Sequence, residues 1–391
     1  MDISLYLEPV DVDKILDVEQ SHPNHLLNTV IINRKGDIFP SLENIDIAII
    51  GINESRLAIG NSGCENAPDQ VRKYFYPLFK HHNNIRIADL GNVKPGHTIN
   101  DTYFAARDIV ANLLKKDIIP FIIGGSQDIT YANYLAYESI GRIINMVCVD
   151  MDFDLGTHES PMSSKTYLSK IITHQPSYLF NYSNIGYQTY FVDREAVELM
   201  GKLYFDVYRL GLVQTDIEEV EPMVRNADML SIDISSVRNS DAPGNKNARP
   251  NGFYGEELCR IMRYAGMSDK LTSAGLYEIN PEFDRNGQTA GLAAQALWYF
   301  IDGFYNRKHD FPIKDKKFYL KYRVVIKELQ NEIVFYKSKK TNRWWMEVPC
   351  PTRLKSKYER HYLVPCSYND YKTAMKEEIP DRWWQAYQKI M

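Results

Sequence analysis

Residues 143–156 read IINMVCVDMDFDLG: an apolar run closed by three aspartates, Asp150, Asp152 and Asp154, each two residues from the next. A short uninterrupted apolar run bounded by polar residues predicts a strand buried on both faces, as in a parallel sheet. Side chains alternate along a strand, so the three carboxylates share one direction if extended backbone continues past Val149. Like charges within about 4–6 Å of each other cannot all stay ionised without a cation or raised pKa values. The stretch therefore predicts both a sheet and a cation, or protons, at its carboxyl edge.

The rest of the chain repeats the pattern. Apolar runs at Ile45–Gly51, Ile85–Leu90, Ile118–Gly124, Ile143–Asp150, Ser183–Tyr187, Met229–Ile234 and Ser273–Ile279 predict strands. Segments of helical period lie between them at Ala67–Phe79, Asn100–Leu114, Thr130–Tyr137, Arg194–Leu203, Thr215–Asn226, Gly255–Gly266 and Asn286–Tyr305. Strands alternating with helices predict a parallel sheet with crossover helices. After Lys308 the texture changes: Lys317–Lys327, Glu332–Lys337 and Arg343–Val348 read as alternating strands, and Trp383–Ile390 as an amphipathic helix. The expected division is a lead-in over residues 1–44, an α/β domain over 45–310, and a C-terminal appendage over 311–391.

Composition narrows the classes of function. The chain has 391 residues, with 46 basic against 50 acidic side chains and a net charge of −4. With no long basic run, a nucleic-acid surface is not indicated. The opening segment MDISLYLEPVDVDKILDVEQ shows no basic stretch leading into an apolar core, and no later segment is apolar enough to span a bilayer. A cytoplasmic protein without membrane contact is expected. Five cysteines without CxxC spacing suggest neither a disulfide framework nor a thiolate zinc site.

In open α/β sheets, function gathers at the carboxyl ends of strands. Four such ends are unusual here: Gly124-Gly125-Ser126-Gln127-Asp128, Asp150-Met151-Asp152-Phe153-Asp154, Ser231-Ile232-Asp233-Ile234-Ser235 and Glu278-Ile279-Asn280-Pro281. Taken alone, an alternating aspartate triplet is ordinarily the solvated start of a loop. Four motifs in order carry more. Together with GCENAPDQVRK, SIDISSVRNSDAPG and EINPEFDRNGQTA, they resemble the ureohydrolase superfamily of arginase, agmatinase and formimidoylglutamase over about residues 45 to 306.

The resemblance implies a three-layer arginase-like α/β fold with a mainly parallel central sheet, to which this chain adds a small β-rich C-terminal appendage. It also implies a metal centre built from Gln127, Asp150, Asp152, Asp154, Asp233 and Ser235, with Glu278 facing the guanidinium or formimino end of a substrate. The departures stand in that set. The family's two ligand histidines fall on Gln127 and Asp152, and one of its four aspartates falls on Ser235. A later aspartate-proline is Arg238-Asn239.

Losing both imidazoles lowers the expected affinity for first-row transition metals and argues against binuclear manganese. An all-oxygen set suits one hard divalent cation such as manganese, magnesium or calcium. The alternative is a relic site neutralised by protons, by Arg238 or by a lysine.

Two classes of function follow. In one, the chain is a metal-assisted hydrolase of a linear amidine or guanidine C–N bond. There an ion would activate water for attack on the amidine carbon, Glu278 would anchor the substrate, and Glu278 and Asp152 would be the catalytic carboxylates. Formimidoylglutamase is the nearest relative this reading suggests. In the other, the chain is a catalytically inactive homologue serving as a ligand- or protein-binding scaffold, with the appendage as a surface for a protein partner. Under both, the family's habit implies a homo-oligomer. His158, in the loop after Asp154, is a weak candidate proton shuttle, since a loop histidine is ordinarily solvated.

Overall fold

The apolar runs become strands in register. A computed structural model describes residues 2–16, 21–157, 160–312, 316–326, 331–355 and 357–391. The strands are β1 (Leu7–Glu8), β2 (Ile31–Ile32), β3 (Ile47–Ile52), β4 (Ile87–Val93), β5 (Ile119–Ile123), β6 (Ile144–Val149), β7 (Leu179–Tyr187), β8 (Asp206–Arg209), β9 (Met229–Asp233) and β10 (Ser273–Tyr277). They form one sheet in the order β1-β4-β3-β5-β10-β9-β6-β7-β8, with β2 also on β4. Every pairing in it is parallel except that of β1 with β4.

The helices are α1 (Val12–Ile15), α2 (Ala67–Phe75), α3 (Ile99–Lys115), α4 (Ile129–Ser139), α5 (Tyr167–Thr173), α6 (Arg194–Lys202), α7 (Leu210–Thr215), α8 (Val220–Arg225), α9 (Gly255–Gly266), α10 (Gln288–Tyr305), α11 (Tyr368–Met375) and α12 (Asp381–Ile390). Two large apolar clusters build the core. One joins α2, α9 and α10 to the sheet, the other α3 and α4. Strands β3 to β6 are fully buried, as their continuous apolar runs predict.

Local chemistry sets the boundaries. Helix α2 opens with Pro68 in its first turn, where a missing N–H costs least. Helix α3 opens on a reciprocal Thr98–Asp101 capping box.

The expected helix Thr215–Asn226 is not continuous. Asp216 takes an extended φ of −146°, which separates α7 from a single 3₁₀ turn at Ile217–Glu219 and from α8. The lead-in contributes β1 and β2 to the main sheet, although neither run is long enough to read as a strand.

The appendage is a separate four-stranded antiparallel sheet, β11 (Tyr319–Ile326), β12 (Asn331–Ser338), β13 (Trp344–Glu347) and β14 (Leu363–Cys366), paired in that order. It has its own core around Trp344, Phe335 and Trp383. Charged groups tie it to the main sheet. Arg360 reaches Asp228 at 2.7 Å, and Arg225 lies 4.4 Å over the Trp345 ring while donating to the carbonyls of Trp344 and Cys366. All five cysteines are free. Among the described residues no helix is long and apolar enough to cross a membrane.

Candidate functional site

Strands β5, β10, β9 and β6 are consecutive neighbours in the sheet. These are the four strands whose ends carry the unusual motifs, so parallel pairing delivers all four to one edge. The site is built where they finish.

Strand β6 ends at Val149, and extended backbone does not persist beyond it. Asp154 sits at φ +51°, a left-handed conformation uncommon outside glycine, so the chain curls back on itself. This overturns the expectation that Asp150, Asp152 and Asp154 point one way. Asp150 and Asp154 turn inward and are buried, and with Asp233 from the end of β9 they bring one carboxylate oxygen each within 4.8 Å of one another. Asp152 is outside that group. Its Oδ1 accepts the Phe153 backbone N–H at 2.6 Å, and its carbonyl accepts Asn184 Nδ2.

The cation among these carboxylates is Lys165. Its Nζ lies 3.0 Å from Asp154 Oδ1 and 3.8 Å from Asp233 Oδ2, with the side chain about one quarter exposed. Burial opposes its charge, but Asp154, Asp233 and Asp150 outweigh burial and hold the ammonium well above the ordinary lysine pKa. Burial, then Asp154 and Asp233, push Asp150 well above the usual carboxylate range. Burial raises Asp154 to about 6 against the opposing pull of Lys165.

Of the neutralising agents the sequence left open, the lysine is in contact, and the raised pKa values of Asp150 and Asp154 bring in protons as well. Arg238 is spent elsewhere: its Nε donates to Asp241 at 2.8 Å, and its guanidinium lies 3.8 Å over the Tyr254 ring. Sequence reading did not single out Lys165, because a loop lysine after a strand end is ordinarily solvated. The signal that could have found it is the charge count itself, which demands a cation near three aspartates.

Gln127 opens the segment after β5. Its Nε2 donates to Ser231 Oγ at 2.9 Å and to the Tyr167 hydroxyl at 3.3 Å, so its amide nitrogen is committed to β9 and α5. Its backbone N–H donates to Glu278 Oε1 at 2.9 Å, and Asn61 Nδ2 donates to Glu278 Oε2 at 2.7 Å. Glu278 itself is buried at φ +65°. Burial, and Asp233 after it, raise its pKa to about 8, so its carboxyl is largely protonated at neutral pH.

Ser235 follows Asp233 in a short turn. Its N–H donates to Asp233 Oδ1 at 2.7 Å, and its hydroxyl is buried without a hydrogen-bond partner. Asp150 Oδ2 and Gln127 Oε1 are likewise buried and unpartnered.

The donor set does not fit a pair of transition-metal ions. Among the described residues no histidine ring belongs to the carboxylate group. His22 and His25 pack on Phe79, His81 and His82 on Trp298, His174 by Tyr131, and His361 on Phe180. His158 lies outside the described residues.

The Arginase family profile matches residues 45–302, two thirds of the chain. The chain belongs to the arginase family. Curated relatives include the formimidoylglutamase of Staphylococcus haemolyticus, 26% identical over 252 residues that cover 62% of this chain and 80% of the relative. Another is the formimidoylglutamase of Bacillus subtilis, 24% identical over 303 residues, 70% and 92% of the two chains. The fold agrees with that of solved arginase-family structures. The crystal structure of B. subtilis formimidoylglutamase superposes with a TM-score of 0.66 at 18% identity, covering 76% of this chain and 98% of that one. Trypanosoma cruzi formiminoglutamase, solved with two Mn2+ ions, gives 0.63 at 18%, covering 73% and 99%. The arginase-family region ends before the appendage, which therefore stands outside the match.

Proposed function

We propose that this arginase-family chain works as a binding scaffold at the family's crevice and does not carry out binuclear-manganese hydrolysis of an amidine. One observation carries the reading. At the two positions where the family resemblance implies imidazoles stand Gln127, whose amide nitrogen is bonded to Ser231 and Tyr167, and Asp152, whose carboxylate is turned onto its own loop. Neither offers a nitrogen donor to an ion, and nitrogen donors favour binding of first-row metals.

Glu278 keeps the residue type that the resemblance implies even so. Glu278, held by Gln127 and Asn61, sits where the resemblance implies contact with the cationic end of a substrate. A small amidine or guanidine is the ligand class that this carboxyl suits in its ionised form, which burial and Asp233 shift towards about pH 8.

A second reading has its own support. Asp150, Asp154 and Asp233 are close enough to share one ion, and the unpartnered oxygens of Asp150, Gln127 and Ser235 could add to its shell. On that reading the chain hydrolyses a linear amidine or guanidine C–N bond with the help of one hard cation, manganese, magnesium or calcium.

Elemental analysis of chelator-free protein, followed by an activity screen with added manganese against formiminoglutamate, arginine, agmatine and guanidinobutyrate, separates the two. The scaffold reading predicts no turnover. Turnover of any of the four, with metal bound in stoichiometric amount, would replace it with the hydrolase reading.

A further inference from the structure

We infer that Lys165 is the resident cation of the carboxylate site: its ammonium stands beside the Asp150–Asp154–Asp233 group in place of a divalent ion and excludes one. The inference rests on the non-hydrolytic reading above and extends it by saying what keeps metal out.

Position is the first argument. Lys165 Nζ pairs with Asp154 at 3.0 Å and approaches Asp233 at 3.8 Å, so it reaches carboxylates from two different strand ends. An ammonium provides three donors and one charge. Here it supplies charge at ion-pair distance, while both Asp154 oxygens remain without a hydrogen-bond partner.

Unpartnered oxygens are the second, independent argument. Asp150 Oδ2, Gln127 Oε1 and Ser235 Oγ are buried and unpartnered, on residues at most 1% exposed. Buried polar atoms ordinarily find partners. Within the carboxylate group itself, Asp150 Oδ2 and both Asp154 oxygens are unpartnered, so charge from Lys165 and not a completed hydrogen-bond set balances it.

Anchoring is the third. The loop that carries Lys165 is pinned on its N-terminal side, where Ser164 N–H donates to the Leu57 carbonyl and Ser164 Oγ accepts the Ile59 N–H, both at 3.0 Å. On its other side, Thr166 Oγ1 donates to the Pro161 carbonyl at 2.7 Å, and α5 begins at Tyr167. Being tethered, the ammonium is present at an effective concentration that a free ion must exceed. A divalent ion entering beside it would also meet an uncompensated like charge at close range.

The test is calorimetric titration of wild type, Lys165→Met and Lys165→Arg with manganese, magnesium and calcium, each checked for folding by thermal melting. Lys165→Met should gain a site for about one ion per chain, with affinity at least tenfold above wild type. Lys165→Arg, which keeps the positive charge, should bind as poorly as wild type. Equal affinities of wild type and Lys165→Met would overturn the inference.

Should Lys165→Met not fold, nitrogen-15 NMR of the lysine ammonium groups in wild type decides the matter. The inference predicts one exchange-protected ammonium signal that millimolar magnesium leaves unmoved. Loss or shift of that signal on adding magnesium overturns it. The two readings fail separately: turnover by wild type sinks the scaffold function, whereas equal metal affinities without turnover sink only the role of Lys165.

Discussion

Lys165 Nζ and Asp154 Oδ1 are 3.0 Å apart at the carboxyl edge of the main sheet, beside Asp150 and Asp233. The lysine comes from the loop before α5 and the aspartate from the turn after β6. An ion pair inside one chain thus occupies the place where strand ends converge, and it changes what restoring the family's ligands can achieve.

The triple substitution Gln127→His, Asp152→His, Ser235→Asp supplies every ligand type that the resemblance implies. Manganese stoichiometry of the triple variant should nevertheless stay at the parent level, because Lys165 still holds the carboxylates. Adding Lys165→Met should raise the manganese content measured by elemental analysis. Two ions bound by the triple variant with Lys165 intact would show that the lysine yields to metal.

Arg72 forms a fully buried ion pair with Asp89 of β4. Its Nε and one terminal nitrogen each donate to Asp89 at 2.8 Å, with both side chains fully buried, and the Tyr76 hydroxyl donates to the same carboxylate. Removing one partner of a buried pair strands the other charge, at a cost of about 3–5 kcal/mol. Arg72→Met should lower unfolding stability by about that amount in urea titrations. A loss under about 1 kcal/mol would mean that Asp89 is neutralised by another route.

Much of the site was legible for a reason that particular residues show. Buried parallel strands must be continuous apolar runs, so β5, β6, β9 and β10 could be read within a residue or two of their ends. Their motifs therefore came out at one edge. What the sequence did not show depends on backbone that leaves the strand. Asp154 and Glu278 both adopt positive φ, which no spacing rule anticipates, and the curl at Asp154 removes Asp152 from the carboxylate group. Lys165 reaches the site from just before α5, outside any periodic pattern. Strands β1, β2 and β8 are too short to give a periodic signal, and β14 contains Pro365, which reads as a strand breaker.

Gly125 takes the chain from β5 into the Gln127 turn at the closest approach in that region. A Cβ there would lie 1.8 Å from the Glu54 carbonyl oxygen. Backbone must move to accept even a methyl group, so Gly125→Ala should cost about 1–3 kcal/mol. Thermal melting reads the loss, and an unchanged melting temperature would contradict the packing described for the turn.

His361 reports on docking of the appendage. It is buried, stacked at 4.3 Å on Phe180, and lies near Lys270 and Arg360 while facing Asp228. Burial first, then Lys270, lowers its pKa from 6.5 to about 3, with Asp228 opposing. The unfolded chain takes up a proton near 6.5, whereas the folded chain does so only near 3. Stability from this residue is therefore complete above 6.5 and is lost as pH falls towards 3. Urea midpoints of wild type and His361→Gln should converge over that window, and a constant gap between them would refute the assignment.

The most direct measurement is anomalous diffraction at the manganese edge from crystals of the wild-type protein grown with manganese. The account predicts no anomalous peak among Asp150, Asp154 and Asp233, and ordered density for Lys165 Nζ beside Asp154. A peak inside that group, and most plainly a pair of peaks with Lys165 swung away, would contradict it.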